Sequence, residues 1–403
     1  MIQTLKNYLW HLPKAVIAGL VYGFPSGKLT LIGVTGTKGK TTTSHLIYFL
    51  LKESGYKVGL ISTIGAYLGN KEIDTGLHVT SPDPMELNKL LKLAVDSGIK
   101  YVVLEVTSNG LDQFRVWGLK FAVSVITNIN PDHLDYHKSM GKYVDAKAKI
   151  IKQSNSVIIN RNIPYFSKLT KIAEDKKIEL SALRLSEYPK KANLQAATEA
   201  VKKLGLKINN QDKILMGFPG VPGRMETVFD DKFKIIIDFA HTPESLQAAL
   251  REIRLNVKKG SRLIAVFGCA GQRDHGRRKM GSVAAKLADF FVITAEDPRT
   301  ENLEEISEEI ADYANKAGAS EISNKARPCY GSKAWPLHAQ FIRILDRQQA
   351  IDYAISIAKT GDVVGLFGKG HEKSMCFGKI ETPWNEHEAV KKALKLCAES
   401  LDT

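Results

Sequence analysis

Residues 33–43 read Gly-Val-Thr-Gly-Thr-Lys-Gly-Lys-Thr-Thr-Thr, a spacing of glycines, lysines and hydroxyls suited to cradling a phosphate. Residues 29–34 are apolar apart from Thr30 and Gly33, as in a buried strand, and beyond the loop Leu46, Ile47, Phe49 and Leu50 recur at helical spacing. Backbone N–H groups at a helix start point at an anion, a lysine adds a point charge, and a neighbouring hydroxyl can hold magnesium. Gly36, Thr37, Lys38, Gly39, Lys40, Thr41 and Thr42 are therefore the candidate nucleotide-binding residues, with Lys40 as the charge and Thr41 as the metal-bound hydroxyl. A standard P-loop has glycine where this chain has Val34, so the loop is a shortened variant. A chance glycine turn is the competing reading, and the register of strand, Gly-x-x-Gly-Lys-Thr and helix disfavours it.

Two further groups of residues have the right chemistry to complete such a site. Glu105 closes the apolar run Tyr-Val-Val-Leu-Glu; at the end of a parallel strand its carboxylate opens onto the edge that carries the loop and can hold a nucleotide's metal. Residues 127–137, Thr-Asn-Ile-Asn-Pro-Asp-His-Leu-Asp-Tyr-His, place two histidines and two aspartates past another strand. Singly these are turn and cap residues, but clustered at a strand end they point to a site.

These side chains need a scaffold of parallel strands. Short runs rich in Val and Ile at 57–62, 101–106, 121–127 and 156–160 read as central strands, with helical periodicity over 85–97, 143–153 and 191–204. Three glycines and two prolines within 217–223 mark a boundary. A second series follows, with strands at 233–238, 262–267, 291–294, 341–344 and 362–367 and helices at 243–253 and 347–359. The expected fold is α/β throughout: an apolar extension at 1–28, a central P-loop domain with a mostly parallel sheet at 29–220, and a Rossmann-like doubly wound domain at 221–403.

Composition narrows the class. The 403 residues are 44% hydrophobic and 25% charged, enough for sizeable cores, and the net charge of +14 favours anionic ligands. No basic run is interleaved with aromatics, so nucleic acid is not expected as a partner. The four cysteines, Cys269, Cys329, Cys376 and Cys397, form no Cys-x-x-Cys pair, which points to a reducing cytoplasm and against a disulfide framework or zinc site. Residues 1–24 are apolar but interrupted by Lys6, His11, Pro13 and Lys14; a helix packed on the protein is favoured over peripheral membrane contact, and a monomer is expected.

The loop, Leu-Glu-Val-Thr-Ser-Asn-Gly-Leu at 104–111 and the 127–137 segment resemble the Mur ligases in matching order. The resemblance continues through Val-Pro-Gly-Arg-Met-Glu at 221–226, Asp-Phe-Ala-His-Thr-Pro at 238–243 and Val-Phe-Gly-Cys-Ala-Gly-Gln-Arg-Asp at 266–274. Glu-Asp-Pro-Arg-Thr-Glu at 296–301 and Gly-Lys-Gly-His-Glu at 368–372 extend it, to cover roughly 29–390. The branch it is most similar to adds a diamino acid to the D-glutamate of a cell-wall precursor. The resemblance implies ATP, two magnesium ions, an acyl phosphate and an amide product, with an anionic cell-wall precursor and an amino acid as substrates. It implies that Lys40 holds the β- and γ-phosphates, that Thr41 and Glu105 hold one magnesium, and that His133 and a carbamoylated Lys147 support the second. From residue type alone Lys147 reads as a solvated helix lysine. Asn193 matches a residue near adenine; Arg224, Asp238 and His241 match residues that close over the nucleotide, and Asp346 and Arg347 a pair at its edge. Thr80, Ser81, Ser108 and Arg115 match the grip on the acyl substrate, although Arg115 alone would read as a surface ion pair.

The incoming amine is matched to Asp297, Arg299, Gly368 and Glu372. The arginine fork suits the distal carboxylate of meso-diaminopimelate, while Asp297, standing where such enzymes have asparagine, would repel that carboxylate and welcome an ammonium. Only about 28 residues precede the nucleotide strand, so the family's uridine-binding domain is expected to be missing. Two alternatives follow: the same chemistry on another acceptor, such as a polyglutamate, a storage peptide or a lipid-linked precursor, or a nucleotide-binding regulator without ligase activity.

Overall fold

The computed structural model describes residues 2–73, 81–186, 189–322 and 338–399. Thr80, one of the matched acyl-site residues, and Cys329 lie outside them. The chain divides into two compact units, Met1–Pro219 and Gly220–Thr403.

In the first unit the strands are β1 (Thr30–Thr35), β2 (Val58–Ile61), β3 (Ala66–Leu68), β4 (Lys71–Ile73), β5 (Tyr101–Glu105), β6 (Phe121–Ile126), β7 (Ser154–Asn160) and β8 (Glu179–Leu183). They form one sheet in the order β4-β3-β2-β5-β1-β6-β7-β8. The strands from β2 to β8 in that order run parallel, and only β3 and β4 turn back as an antiparallel edge. Strands such as β1 and β5 are apolar on both faces because helices cover both sides, which is why they read as continuous apolar runs. Two apolar clusters result, one built on Leu31, Leu104 and Phe121 and the other on Ile32, Val34 and Leu50. The chain leaves β1 towards β2 and later crosses to β6 on its other side, so the loop after β1 lies where strand order reverses.

In the second unit β9 (Glu226–Asp230), β10 (Lys234–Asp238), β11 (Leu263–Phe267), β12 (Phe290–Ile293), β13 (Ser320–Glu321), β14 (Gln340–Arg343) and β15 (Val363–Phe367) form a sheet in the order β13-β14-β12-β11-β15-β10-β9. Only β9 is antiparallel. A separate hairpin, β16 (Ser374–Phe377) with β17 (Ile380–Pro383), follows. The strands that apolar periodicity did not signal are β8 and β13, the antiparallel β3, β4 and β9 and this hairpin, all short or partly exposed.

The helix 143–153 expected from the sequence is instead Met140–Ala148 followed by a single 3₁₀ turn at Ile151–Gln153. The N-terminal extension is helical from Ile2 to Tyr22, with one π turn at Asn7–His11, and ends on Gly23 in the left-handed region. It packs through Ala15, Ala18 and Gly19 and is pinned where Asn7 Nδ2 donates to Asp112 Oδ2 at 2.8 Å and Gln3 Nε2 to the Tyr136 hydroxyl at 3.2 Å.

Candidate active site

The loop after β1 is held by backbone geometry that admits only glycine at two points. Gly36 has φ +151° and a side chain there would meet Thr127 Oγ1 at 1.9 Å; Gly39 has φ +80° and would meet Asn193 Oδ1 at 2.4 Å. The close approach of Asn193 is thus the reason for the second glycine, and Thr43 Oγ1 donates to the same amide oxygen at 3.3 Å. From the other side Asn128 clamps the loop: its Oδ1 accepts from Lys38 N at 2.8 Å, its Nδ2 donates to Lys38 O at 2.9 Å, and its carbonyl accepts from Thr37 N at 3.0 Å. The Thr37 hydroxyl bonds the Tyr143 hydroxyl at 2.8 Å and accepts from Asn130 N. Sequence reasoning missed Asn128 and Tyr143. The asparagines leaving β6 at 128 and 130 were the available signal.

Two lysines converge on this loop. Lys40 Nζ donates to Gly36 O at 3.1 Å and Thr37 O at 3.0 Å, and Lys147 Nζ donates to Gly36 O at 2.7 Å. Lys147 is only 1% exposed, which overturns its reading as a solvated helix lysine. Burial, reinforced by the charge of Lys40, drives its pKa well below the ordinary lysine range, and its amine lies 4.7 Å from the Tyr143 ring centre. A lowered pKa favours the neutral, nucleophilic form of an amine.

On the opposite flank β5 pairs with β1 so that Glu105 lies beside Val34. Thr41 Oγ1 donates to Glu105 Oε1 at 3.0 Å, while Thr63 donates to Oε2 through both its backbone N–H and its hydroxyl. Two hard oxygen donors side by side at a phosphate loop fit magnesium, which takes one or two protein oxygens and completes its shell from phosphates and water. Among the described residues no group of three His, Cys, Asp or Glu side chains gathers into a larger metal cage. His133 sits half exposed with φ +51°, its ring 3.8 Å from Asp132.

The acyl-side residues form a second network in this unit. Ser81 Oγ accepts from Thr107 N at 2.9 Å, and Arg115 donates to Ser81 O at 2.7 Å and, through Nε and Nη2, to Gln113 Oε1. Arg115 is therefore built into this wall, not into a surface ion pair. Ser108 Oγ lies 3.0 Å from His137 Nε2, and burial pushes the His137 pKa down to about 4.

In the second unit the matched residues fall just past the C-terminal ends of parallel strands. Asp238, ending β10, is half-buried and accepts from Met225 N at 2.8 Å and Ala240 N at 2.9 Å; desolvation raises its pKa, opposed by Arg224. The Arg224 guanidinium stacks 4.3 Å from the Phe239 ring centre, and His241 Nδ1 lies 2.8 Å from Phe239 O. Asp346 caps a helix by accepting from Gln349 N at 2.8 Å. Arg347 is turned into the unit, donating to Glu386 at 3.0 Å and to the carbonyls of Ala295 and Phe367, so it braces two strand ends from within.

Past β12, Asp297 Oδ1 accepts from Lys369 Nζ at 2.9 Å and from Cys376 N at 3.0 Å, and Lys369 also pairs with Glu372 at 2.7 Å. Asp297 thus stands with Lys369 as its counter-ion. Burial alone would lower the Lys369 pKa, but Glu372 and Asp297 hold it above its ordinary value. Glu296 is buried with its pKa raised to about 7, chiefly by desolvation. Arg299 has φ +54°, its backbone is fixed by Cys376 O and Gly378 N, and its Nε is buried with no partner among the described residues. Gly368 has φ +105°, and a side chain there would meet the Glu296 carboxyl carbon at 3.1 Å.

The chain matches the family models for the Mur ligase middle domain over residues 34–221 and the Mur ligase glutamate ligase domain over 223–370. It is 32% identical over 415 residues to UDP-N-acetylmuramoyl-L-alanyl-D-glutamate--2,6-diaminopimelate ligase of Clostridium perfringens, covering 93% of this chain and 80% of that one. The enzyme of the same name from Aquifex aeolicus is 37% identical over 406 residues, with coverage of 93% and 79%. Among solved structures, one of a UDP-N-acetylmuramoyl-L-alanyl-D-glutamate--2,6-diaminopimelate ligase superposes with a TM-score of 0.58 at 27% identity, covering 91% of this chain and 78% of that one. E. coli FolC with ADP superposes at 0.66 with 18% identity, covering 97% and 95%, a likeness of fold.

Proposed function

The chain belongs to the Mur ligase family, and from that premise we propose that it is an ATP-dependent ligase of peptidoglycan synthesis that adds meso-diaminopimelate to the D-glutamate of a muramoyl-dipeptide. The γ-phosphoryl of ATP passes to the D-glutamate carboxylate, giving ADP and an acyl phosphate. The amine of the second substrate then attacks the acyl carbon, the C–N bond forms as inorganic phosphate leaves, and the amine sheds a proton. Little covalent chemistry falls to the protein, whose part is positioning and charge neutralisation.

The observation that carries this reading is the convergence on one loop of Lys40, Lys147 and the Thr41–Glu105 pair. The loop's N–H groups and Lys40 take the β- and γ-phosphates. Thr41 and Glu105 would hold magnesium, which would neutralise charge on the transferring phosphoryl. Lys147, a buried amine with its pKa lowered, is suited to take up carbon dioxide as a carbamate, and with His133 would then offer oxygen and nitrogen to a second ion. Asn193 borders the adenine, and Arg224, Asp238 and His241 serve the nucleotide. Thr80, Ser81, Ser108 and Arg115 orient the acyl substrate, with His137 held neutral against Ser108. Arg299, its Nε buried and unpartnered, reads the distal carboxylate of diaminopimelate, while Lys369 keeps Asp297 from repelling it.

Phosphate release tests the reading. It is expected only when ATP, UDP-N-acetylmuramoyl-L-alanyl-D-glutamate and an amine substrate are all present, and its absence with every diamino acid contradicts the reading.

A further inference from the structure

The N-terminal helix is apolar on the side where a surface helix is normally polar. Its inward face is made of small residues, Ala15, Ala18 and Gly19, while its solvent face carries Leu5, Leu9, Ile17, Leu20 and Val21. Leu9 is 68%, Leu20 65% and Ile17 54% exposed. Leu9 lies within the π turn at Asn7–His11, between Leu5 and the exposed Pro13, Ile17, Leu20 and Val21. A contiguous apolar stripe on this scale is unusual on an isolated soluble chain. Exposed Tyr8 and Trp10 flank it, the aromatic types that settle at the level of lipid headgroups.

The charge carried by the segment itself has one sign, while Asp83 and Asp112 face it from neighbouring elements. No Asp or Glu precedes Glu53 in the sequence, whereas Lys6 and Lys28 stand exposed at the two ends of the segment and Lys14 pairs with Asp83 at 2.7 Å. Among the described residues no helix is long and apolar enough to cross a membrane. The helix is no loose tail either: Asn7 and Gln3 tie it to Asp112 and Tyr136, in the neighbourhood of Ser108 and Arg115.

We propose that this face docks the protein in the plane of an anionic lipid bilayer, with the leucine stripe in the acyl–headgroup boundary and the lysines on anionic headgroups. Docking holds the acyl-substrate wall of the first unit next to the lipid surface. The inference stands on this face alone and needs no part of the ligase assignment.

The test is co-sedimentation of the full chain with vesicles of phosphatidylcholine alone or with phosphatidylglycerol added. Pelleting with the phosphatidylglycerol vesicles, reversed by salt and accompanied by a blue shift of tryptophan fluorescence that Trp10→Phe removes, is expected. Leu9→Glu with Leu20→Glu should weaken binding on the order of a hundredfold. Lys6→Gln with Lys28→Gln should weaken it about thirtyfold. Both double variants should retain an unchanged circular dichroism melt and ATP-dependent phosphate release. No pelleting with phosphatidylglycerol vesicles at low salt overturns the proposal, as does equal pelleting with both vesicle types. A dimer in sedimentation velocity that Leu20→Glu dissolves, without vesicle binding, would assign the face to a second copy and overturns it too. An inactive protein that still pellets fails the ligase reading only; an active one that does not pellet fails this proposal only.

Discussion

Each unit of the chain buries a lysine at a strand-end site, and the two are treated in opposite ways. Lys147 lies against the phosphate loop with a backbone carbonyl as hydrogen-bond acceptor, and burial together with the charge of Lys40 lowers its pKa. Lys369 lies between Asp297 and Glu372 and is held charged. The same side chain has its pKa lowered in one unit and raised by two carboxylates in the other. The difference comes from which residues the neighbouring strands deliver, since both are almost fully removed from solvent.

The largest effects should come from the loop side. Lys40→Ala is expected to lose roughly a thousandfold in turnover together with ATP binding, measured by phosphate release and calorimetry. Lys147→Ala should keep ATP binding and lose on the order of a hundred- to a thousandfold in ligation; full ligation in that variant without added bicarbonate or acetate contradicts the carbamate role.

Stability should reverse the ranking. Lys369→Met leaves two carboxylates unpaired in a mostly buried setting and should cost about 3–5 kcal/mol in urea unfolding. Lys147→Met removes an amine that has no acidic partner in the hydrogen-bond network and should shift stability by no more than about 1 kcal/mol. Equal losses in the two variants would dissolve the contrast.

The smallest effect is a pair of opposed pH slopes. His137 has its folded pKa lowered from 6.5 to about 4, so the unfolded chain binds the proton more tightly and this group's contribution to stability rises with pH between those values. Glu296 is raised from 4.5 to about 7; its contribution is complete below 4.5 and is lost as pH climbs through 7. His137→Gln and Glu296→Gln should therefore change the slope of unfolding free energy against pH in opposite senses, read by urea titrations across pH 4–7.

The parallel cores were legible because strands covered on both faces are continuous apolar runs, as Val102–Leu104 and Ile264–Phe267 are. The loop was legible too, since glycine and lysine there have few other uses. What escaped was pairing at a distance. Nothing in the local sequence around Lys147 marks it as buried, because its surroundings come from the loop over a hundred residues earlier. Asp297 likewise read as a bare carboxylate because Lys369 reaches it from a strand end 72 residues on. Thr63 and Asn128, which secure Glu105 and the loop, are ordinary turn residues until the sheet brings them together.

The most direct measurement is the mass of the product formed from ATP, UDP-N-acetylmuramoyl-L-alanyl-D-glutamate and an equimolar mixture of meso-diaminopimelate and L-lysine. The diaminopimelate tripeptide should predominate, formed with one ADP and one phosphate per amide bond. A lysine tripeptide as the main product, or unchanged dipeptide, would contradict the assignment of Arg299 and of the reaction.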